Sequence, residues 1–185
     1  MTQDDADDLL IVSQINSGQK ELFRFLVKKH EQAVYGMGLS FFRNSEDASD
    51  FTQDVFLKVY RGLSRFEGRS RFSTWLYKIA YNTAVNGVSR RKEYRSLAEE
   101  EGLSDGETPE RKLVRDISRK AVLGAVEELP ERYRVCVDLF FFYSRTYQEI
   151  EGITGIPVNT VKSHVFRAKK LLREKLREIA AGGID

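Results

Sequence analysis

The 185-residue chain is poor in the residue types that most often announce a chemistry. Its single cysteine, Cys136, excludes an internal disulfide, and with only two histidines it leaves too few soft ligands for a structural zinc site. A reducing, intracellular setting fits this usage. The longest apolar stretch, around VCVDLFFFY, is far too short to span a membrane and contains Asp138. The first ten residues hold four Asp and no base, unlike the basic-then-apolar opening of a secretory signal. Proline occurs only at positions 109, 130 and 157, and no alternating strand pattern persists. A net charge of +2 points to no partner by itself.

The distribution of charge is more informative than its sum. Arg61 to Arg95 holds nine Lys or Arg against two acids, and Arg145 to Glu178 holds eight against four. Ser96 to Glu110 holds six acids and no base. Two basic blocks alternating with two acidic ones predict two binding surfaces joined by a linker.

Apolar residues recur at helical spacing almost throughout, which predicts an all-α protein. The stretch SLAEEEGLSDGETPE, 96–110, breaks the pattern: it is acidic, contains Gly, lacks aromatics and carries Thr108–Pro109 near its end. It reads as a flexible acidic linker between a helical domain over 1–95 and a smaller one over 111–185. In the second domain a helix is expected from near Glu110 to Leu129. Another follows from Pro130, a residue suited to a first helical turn, to about Tyr143. Thr146 and Glu149 form a T-x-x-E capping box for the third. Gly155 suits the left-handed position that ends it, and Pro157 opens the fourth.

On a wheel of about 100° per residue the fourth helix is two-sided. Val158, Val161, Val165, Ala168 and Leu172 fall in one arc, and Asn159, Ser163, Phe166, Arg167 and Lys170 fall opposite. A major groove admits a helix of this kind, with short polar groups near its start at base edges and Lys or Arg at phosphates. The outward face is cationic without a balancing acid until Glu174, which favours DNA over a solvated face. Phe166 lies off the apolar arc, which favours an exposed contact, such as a thymine methyl, over packing at a domain edge. His164 borders the stripe and reads as structural. Cys136 lies in an apolar helical pattern, which argues against a redox switch.

In the first domain, NSEDASDFTQDVFLKVYRGL places Ala48, Phe51, Val55, Phe56 and Val59 on one helical face. Glu46, Asp47, Asp50, Gln53 and Asp54 gather on the other. Acids at a helix start complement its dipole, which accounts for Glu46 and Asp47. Asp50 and Asp54, further in and flanking Gln53, predict a polar docking surface for a basic protein. FEGRSRF, 66–72, reads as a loop, and Ser73 is expected to cap the next helix. Asn82 and Asn86 share a face at i, i+4, with Arg90, Arg91, Lys92 and Arg95 beyond them. Aromatics among cations beside paired Asn suit single-stranded nucleic acid, whose bases stack or flip and are read on their edges. Spacing alone leaves the Asn pair open between this role and an ordinary polar face. Phe72 and Trp75 are expected in the core.

Four segments in order, EDASDFTQDVFLKVYRGL, FEGRSRFSTWLYKIAYNTAVN, LPERYRVCVDL and TYQEIEGITGIPVNTVKSHVFRAKKLL, resemble a bacterial RNA polymerase sigma factor of the sigma-70 family. The resemblance is to the compact extracytoplasmic-function (ECF) group, which keeps only the second and fourth sigma domains. It implies a cytoplasmic, non-catalytic specificity subunit without cofactor, metal or small-molecule substrate, and without membrane insertion. Implied partners are core polymerase, through the β′ clamp helices and the β flap, promoter DNA, and an anti-sigma factor. Asp50, Gln53 and Asp54 match the polymerase-binding helix. Phe66, Arg69, Ser70, Asn82 and Asn86 match the part that reads and opens the −10 element. Asn159, Lys162, Ser163, Phe166, Arg167 and Lys170 fall in the helix matching the −35 reader. The linker matches the segment that threads toward the polymerase active centre.

Three positions depart from the family pattern. Glu151 stands where Ala is usual, Asn159 where Gly is frequent, and His164 where Arg is usual. Two other classes compete. A LuxR-type DNA-binding regulator would share the terminal helices but not the acidic helix or the FEGRSRFSTW loop. An enzyme would need a metal cluster, a phosphate-cradling glycine loop or a nucleophile–base pair, and the sequence offers none.

Overall fold

The computed structural model describes residues 3–95 and 122–182, with side chains over 5–88 and 122–179; the linker 96–110 and the first part of the helix expected from Glu110 lie outside these. Among the described residues every regular element is helical. They form two compact units: the first contains α1 to α4, and the second α5, α6, α8 and most of α7.

The first unit starts with α1, Gln3–Asn16. A short 3-10 turn, Lys20–Leu22, leads into α2, Phe23–Phe42. Arg43 then takes a left-handed φ of 59° and ends α2, its N–H bonding the Leu39 carbonyl. Asn44 caps α3, Ser45–Gly62, by accepting the Asp47 N–H at 2.8 Å. The two residues Arg43 and Asn44 thus turn α2 back on α3. Inward residues of α3, Ala48, Phe51, Val55, Phe56 and Val59, are all buried, as its wheel predicted. They meet Leu26, Val34 and Met37 of α2 and, after a 3-10 turn at Leu63–Arg65, the buried Phe72, Leu76, Ala80 and Ala84 of α4, Phe72–Arg95.

Ser73 is not the cap of α4. The helix has already begun at Phe72, and the Trp75 N–H bonds the Arg71 carbonyl, so Ser73 lies buried within the first turn. The fully buried Phe72 draws the start of the helix forward by two residues.

In the second unit, α5 is described over 122–127. Pro130 stands one residue ahead of α6, Glu131–Val137, and its carbonyl accepts from the Tyr133 and Arg134 N–H groups at 2.8 and 3.0 Å. The chain continues as a π turn over Asp138–Phe142. Thr146 and Glu149 close both bonds of the capping box that starts α7, Tyr147–Thr154. Gly155 ends it at φ 76°, and α8 runs over Val158–Gly182. The core gathers Val126, Leu129, Tyr133, Val137 and Ala168, with Leu172 against it. Cys136 is fully buried, and burial pushes its thiol up to about 11, so it is no thiolate at neutral pH.

Among the described glycines of the first unit, the tightest approach is at Gly38, where α2 crosses α3. A Cβ there would sit 2.8 Å from Phe51 Cδ1 and 3.0 Å from the Ala48 Cα. Gly38→Ala is therefore expected to part the two helices and lower stability by about 1–3 kcal/mol, the usual range for overpacking. Urea unfolding of the full chain measures this; an unchanged midpoint would contradict the close packing.

Candidate nucleic-acid interface

The candidate interface of the second unit is built on α8. Val161 and Ala168 are 0 % exposed and Val165 is 1 % exposed, so one face is wholly committed to the core. Asn159, Lys162, Ser163, Phe166, Arg167 and Lys170 are all exposed on the other side, Phe166 at 72 %. Ser163 donates its hydroxyl to the Asn159 carbonyl at 3.0 Å within the helix, which leaves its oxygen lone pairs facing out as acceptors.

His164 is turned inward. Its ring meets Tyr133 edge-on at 5.1 Å, and Nδ1 lies 3.7 Å from the Cys136 sulfur. Burial, with the charges of Arg132 and Arg167, lowers its pKa below the ordinary value, so the ring is neutral at pH 7. The imidazole is a packing group here, as the sequence indicated.

Tyr133 is a residue that the sequence did not single out. Hydrogen bonds from Arg167 and Arg132 lower the pKa of its phenol. The guanidinium of Arg132 also lies over its ring, 4.9 Å from the centroid. Tyr133 thus lies beside Arg167, with the exposed Arg132 of another helix over its ring. Nothing in local spacing links position 133 to position 167; only the packing of α6 on α8 does.

Glu151 has a defined job. Its carboxylate reaches over the turn and accepts the Val158 N–H at 3.1 Å. Val158 is the first residue of α8, and Pro157 before it has no side-chain acceptor to cap that N–H. Glu151 supplies the missing cap from the preceding helix, while its own carbonyl accepts from Gly155 at 2.8 Å. Both ends of the turn are therefore tied to one residue.

The second unit also exposes an apolar concavity away from these polar groups. Phe141 and Phe142, 48 % and 52 % exposed, line it with Val126, Leu172 and Leu176, and Lys169, Arg173 and Arg177 border it.

In the first unit the loop before α4 is held by rings. Phe66 is half-buried, 5.9 Å from Phe72 and 5.1 Å from Trp75 between centroids. Gly68 takes φ 69° at the tip, a conformation that favours glycine. Arg69 and Ser70 are exposed, and Arg69 pairs with Glu67 at 2.6 Å. Asn82 and Asn86 are exposed one turn apart on α4. The side chains of Arg90, Arg91, Lys92 and Arg95 lie outside the described residues. The rings therefore act mainly as a base under the loop, with its polar tip outward.

On α3, Asp50, Gln53 and Asp54 are exposed. Asp54 pairs with Lys58 one turn on, at 2.7 Å. Gln53 lines two shallow hollows, one with Gln32, Tyr35 and Thr52, the other with Phe23, Leu57 and Tyr60. Leu57 is 54 % exposed and Tyr60 40 %, so this polar surface carries apolar contacts that charge patterning alone did not reveal.

A two-unit helical protein ending in a helix-turn-helix, with an acidic helix and a basic loop in its first unit, defines a DNA-directed transcription factor. The model of sigma-70 region 2 matches residues 26–94, and that of sigma-70 region 4 matches residues 119–172. The RNA polymerase sigma-H factor of Pseudomonas aeruginosa is 33 % identical over 183 residues, covering 93 % of this chain and 95 % of the relative. The ECF RNA polymerase sigma-E factor of Escherichia coli K12 is 32 % identical with the same coverages. Among solved structures, RpoE of Bartonella quintana, determined with the anti-sigma factor NepR, superposes with a TM-score of 0.69 at 22 % identity, over 84 % of this chain and 96 % of that one. CnrH, determined with the cytosolic domain of CnrY, gives 0.66 at 22 % identity, over 91 % and 96 %. The chain belongs to the sigma-70 family, in its ECF group: it is a transcription initiation factor that directs RNA polymerase to promoters. No helix among the described residues is long and apolar enough to cross a membrane.

Glu151→Ala should remove the cap on α8 and lower stability by about 1 kcal/mol, the typical worth of an N-terminal cap. Glu151→Gln keeps an acceptor oxygen and should recover most of that. Thermal unfolding of the two variants decides; equal stability of Glu151→Ala and the parent would show the bond to be idle.

Proposed function

We propose that α8 reads the −35 element in the major groove, with Asn159, Ser163 and Arg167 at base edges or adjacent phosphates, Phe166 at an apolar base edge, and Lys162 and Lys170 at phosphates. The observation that carries this is the division of α8 itself. Three small residues are sealed in the core, and directly opposite stand six exposed groups with no acid among them. A solvated helix needs no such separation of cations from acids, whereas a helix seated against phosphates does. Arg132 joins the phosphate-contacting set, because it is exposed beside Arg167.

In the same reading the loop 66–71 and the Asn82–Asn86 face take the −10 element as single strand. Phe66 forms the base of the loop, and Arg69, Ser70 and the two amides are the contacting groups. Asp50, Gln53 and Asp54, with Leu57 beside them, dock on the β′ clamp helices. The apolar concavity at Phe141 and Phe142 suits the β flap, its cationic border placing acidic flanks. An anti-sigma factor would cover some of these surfaces, and the protein works in the cytoplasm, where the polymerase is. The units correspond to sigma domain 2 over 1–95 and sigma domain 4 over 111–185, joined by the linker 96–110.

In vitro transcription with purified core polymerase tests the reading. Arg167→Ala is expected to weaken a promoter with a matched −35 element by about 1–3 kcal/mol, or roughly five- to 150-fold, and to spare promoters mismatched there. Equal loss on every sequence would make Arg167 a phosphate contact. Asp50→Ala with Gln53→Ala is expected to raise the Kd for core polymerase about tenfold while leaving thermal unfolding unchanged. Unaltered affinity would remove α3 from the polymerase interface.

A further inference from the structure

The acids that open the chain have no place in the reading above, and the family match begins only at residue 26, after α1. Yet two of the four are buried: Asp5 is 7 % exposed and Asp8 2 %. A carboxylate withdrawn from water needs partners, and the partners are informative. Asp8 accepts from His30 Nε2 at 2.9 Å and from Lys29 Nζ at 2.8 Å. Burial alone would raise its pKa, but the bonds from His30 and Lys29 outweigh burial and lower it, so it is ionised at neutral pH. The His30 ring packs on Phe72 at 5.5 Å, and Phe72 in turn holds Phe66. Asp5 meets Arg71 Nε at 3.5 Å.

These contacts follow the loop from end to end. Asn16, at the close of α1, donates to the Leu63 carbonyl at 3.4 Å, where the loop leaves α3. The Leu9 side chain lies beneath the tip, 3.9 Å from where a Cβ on Gly68 would stand. Asp5 reaches Arg71, where the loop enters α4. Asn16 and Asp5 are eleven residues apart, about 16 Å along a helix, which matches the nine-residue connection 63–71 that folds back through a left-handed glycine.

We propose that α1 is the platform on which the −10 loop is set, and that Asp5 and Asp8 are positioning residues for reading the melted strand: Asp5 through Arg71, Asp8 through His30 and Phe72. This rests on the reading of loop 66–71 as the −10 contact. Neither acid meets DNA; each fixes a group that carries the loop. A rigid loop loses less conformational freedom on capturing a base, so freeing it weakens single-strand binding without touching polymerase docking on α3.

The experiment uses holoenzyme assembled from core polymerase and full-length variants. Binding is measured to a labelled single strand carrying the −10 sequence, and core affinity separately. Asp5→Asn, which is isosteric and sits at the edge of the unit, is expected to weaken single-strand binding about three- to tenfold with core affinity within twofold of the parent. Arg71→Gln should do the same, and the double variant should be no worse than either single, since both remove one interaction. Asp8→Asn follows the same pattern, and Asp5→Asn carries the test if Asp8→Asn does not fold.

Arg69→Ala with Ser70→Ala, at the loop tip, separates this proposal from the reading beneath it. Loss in the tip variant with none in Asp5→Asn overturns the platform alone. No loss in either overturns the −10 assignment of the loop and the platform with it. Tighter single-strand binding by Asp5→Asn would mean that Asp5 withholds Arg71 from DNA, and it too overturns the proposal.

Discussion

The second unit depends on three small side chains. Val161, Val165 and Ala168 are the only fully sealed residues described on α8, with Leu172 and the inward ring of His164 packed beside them. Burying a Val or Ala side chain contributes on the order of 1–2 kcal/mol, so the helix is held by only a few kcal/mol of docking. That margin explains the density of fastening at its start. Glu151 caps the first N–H, Gly155 lets the turn close, and Pro157 sets the backbone for the first turn. A helix that must keep one side bare is secured at its end instead of around its girth.

Acids of one type take opposite roles in the first unit. Asp50 and Asp54 stand outward on α3, whereas Asp5 and Asp8 of α1 turn in toward cations of other elements. Composition cannot separate the two cases, and neither can helical spacing, because α1 has no strongly apolar face to define an inside. The buried carboxylates are set by Lys29, His30 and Arg71, some 20 to 66 positions away in the chain. Geometry that distant in sequence exists only once the helices have packed.

What was legible in the sequence follows the same division. The capping box at Thr146 and Glu149, the left-handed Gly155 and the buried arc of α8 are local features, each decided within a turn or two, and each appears as its spacing implied. The two-domain helical class was equally plain, since periodicity without strand pattern leaves little else. Ser73 was misread because a local cap preference met a stronger demand: Phe72, one residue earlier, is drawn fully into the core and carries the helix start with it. Glu151, an oddity against the family pattern, became intelligible only when its carboxylate was placed at Val158, seven residues on. Tyr133, with its hold on Arg167 and His164, and the apolar Leu57 beside Gln53 depend on tertiary packing that no window of sequence contains.

Ion pairing in the first unit follows function as well as stability. On the surfaces we propose for partners the pairs are exposed: Lys58 with Asp54, and Arg69 with Glu67, whose side chains are between 45 % and 85 % exposed. Such pairs contribute about 0–1 kcal/mol, so a competing charged group can replace either partner at little cost. Beneath the loop, the carboxylate of Asp8 is almost wholly enclosed and bonded to Lys29 and His30, and removing a partner there leaves a charge without water. Weak pairs therefore sit on the exposed faces and costly ones where the scaffold must stay. This also explains why a chain that presents both an anionic and a cationic surface can carry a net charge of only +2: its binding chemistry lies in the separation of its charges, which the total conceals.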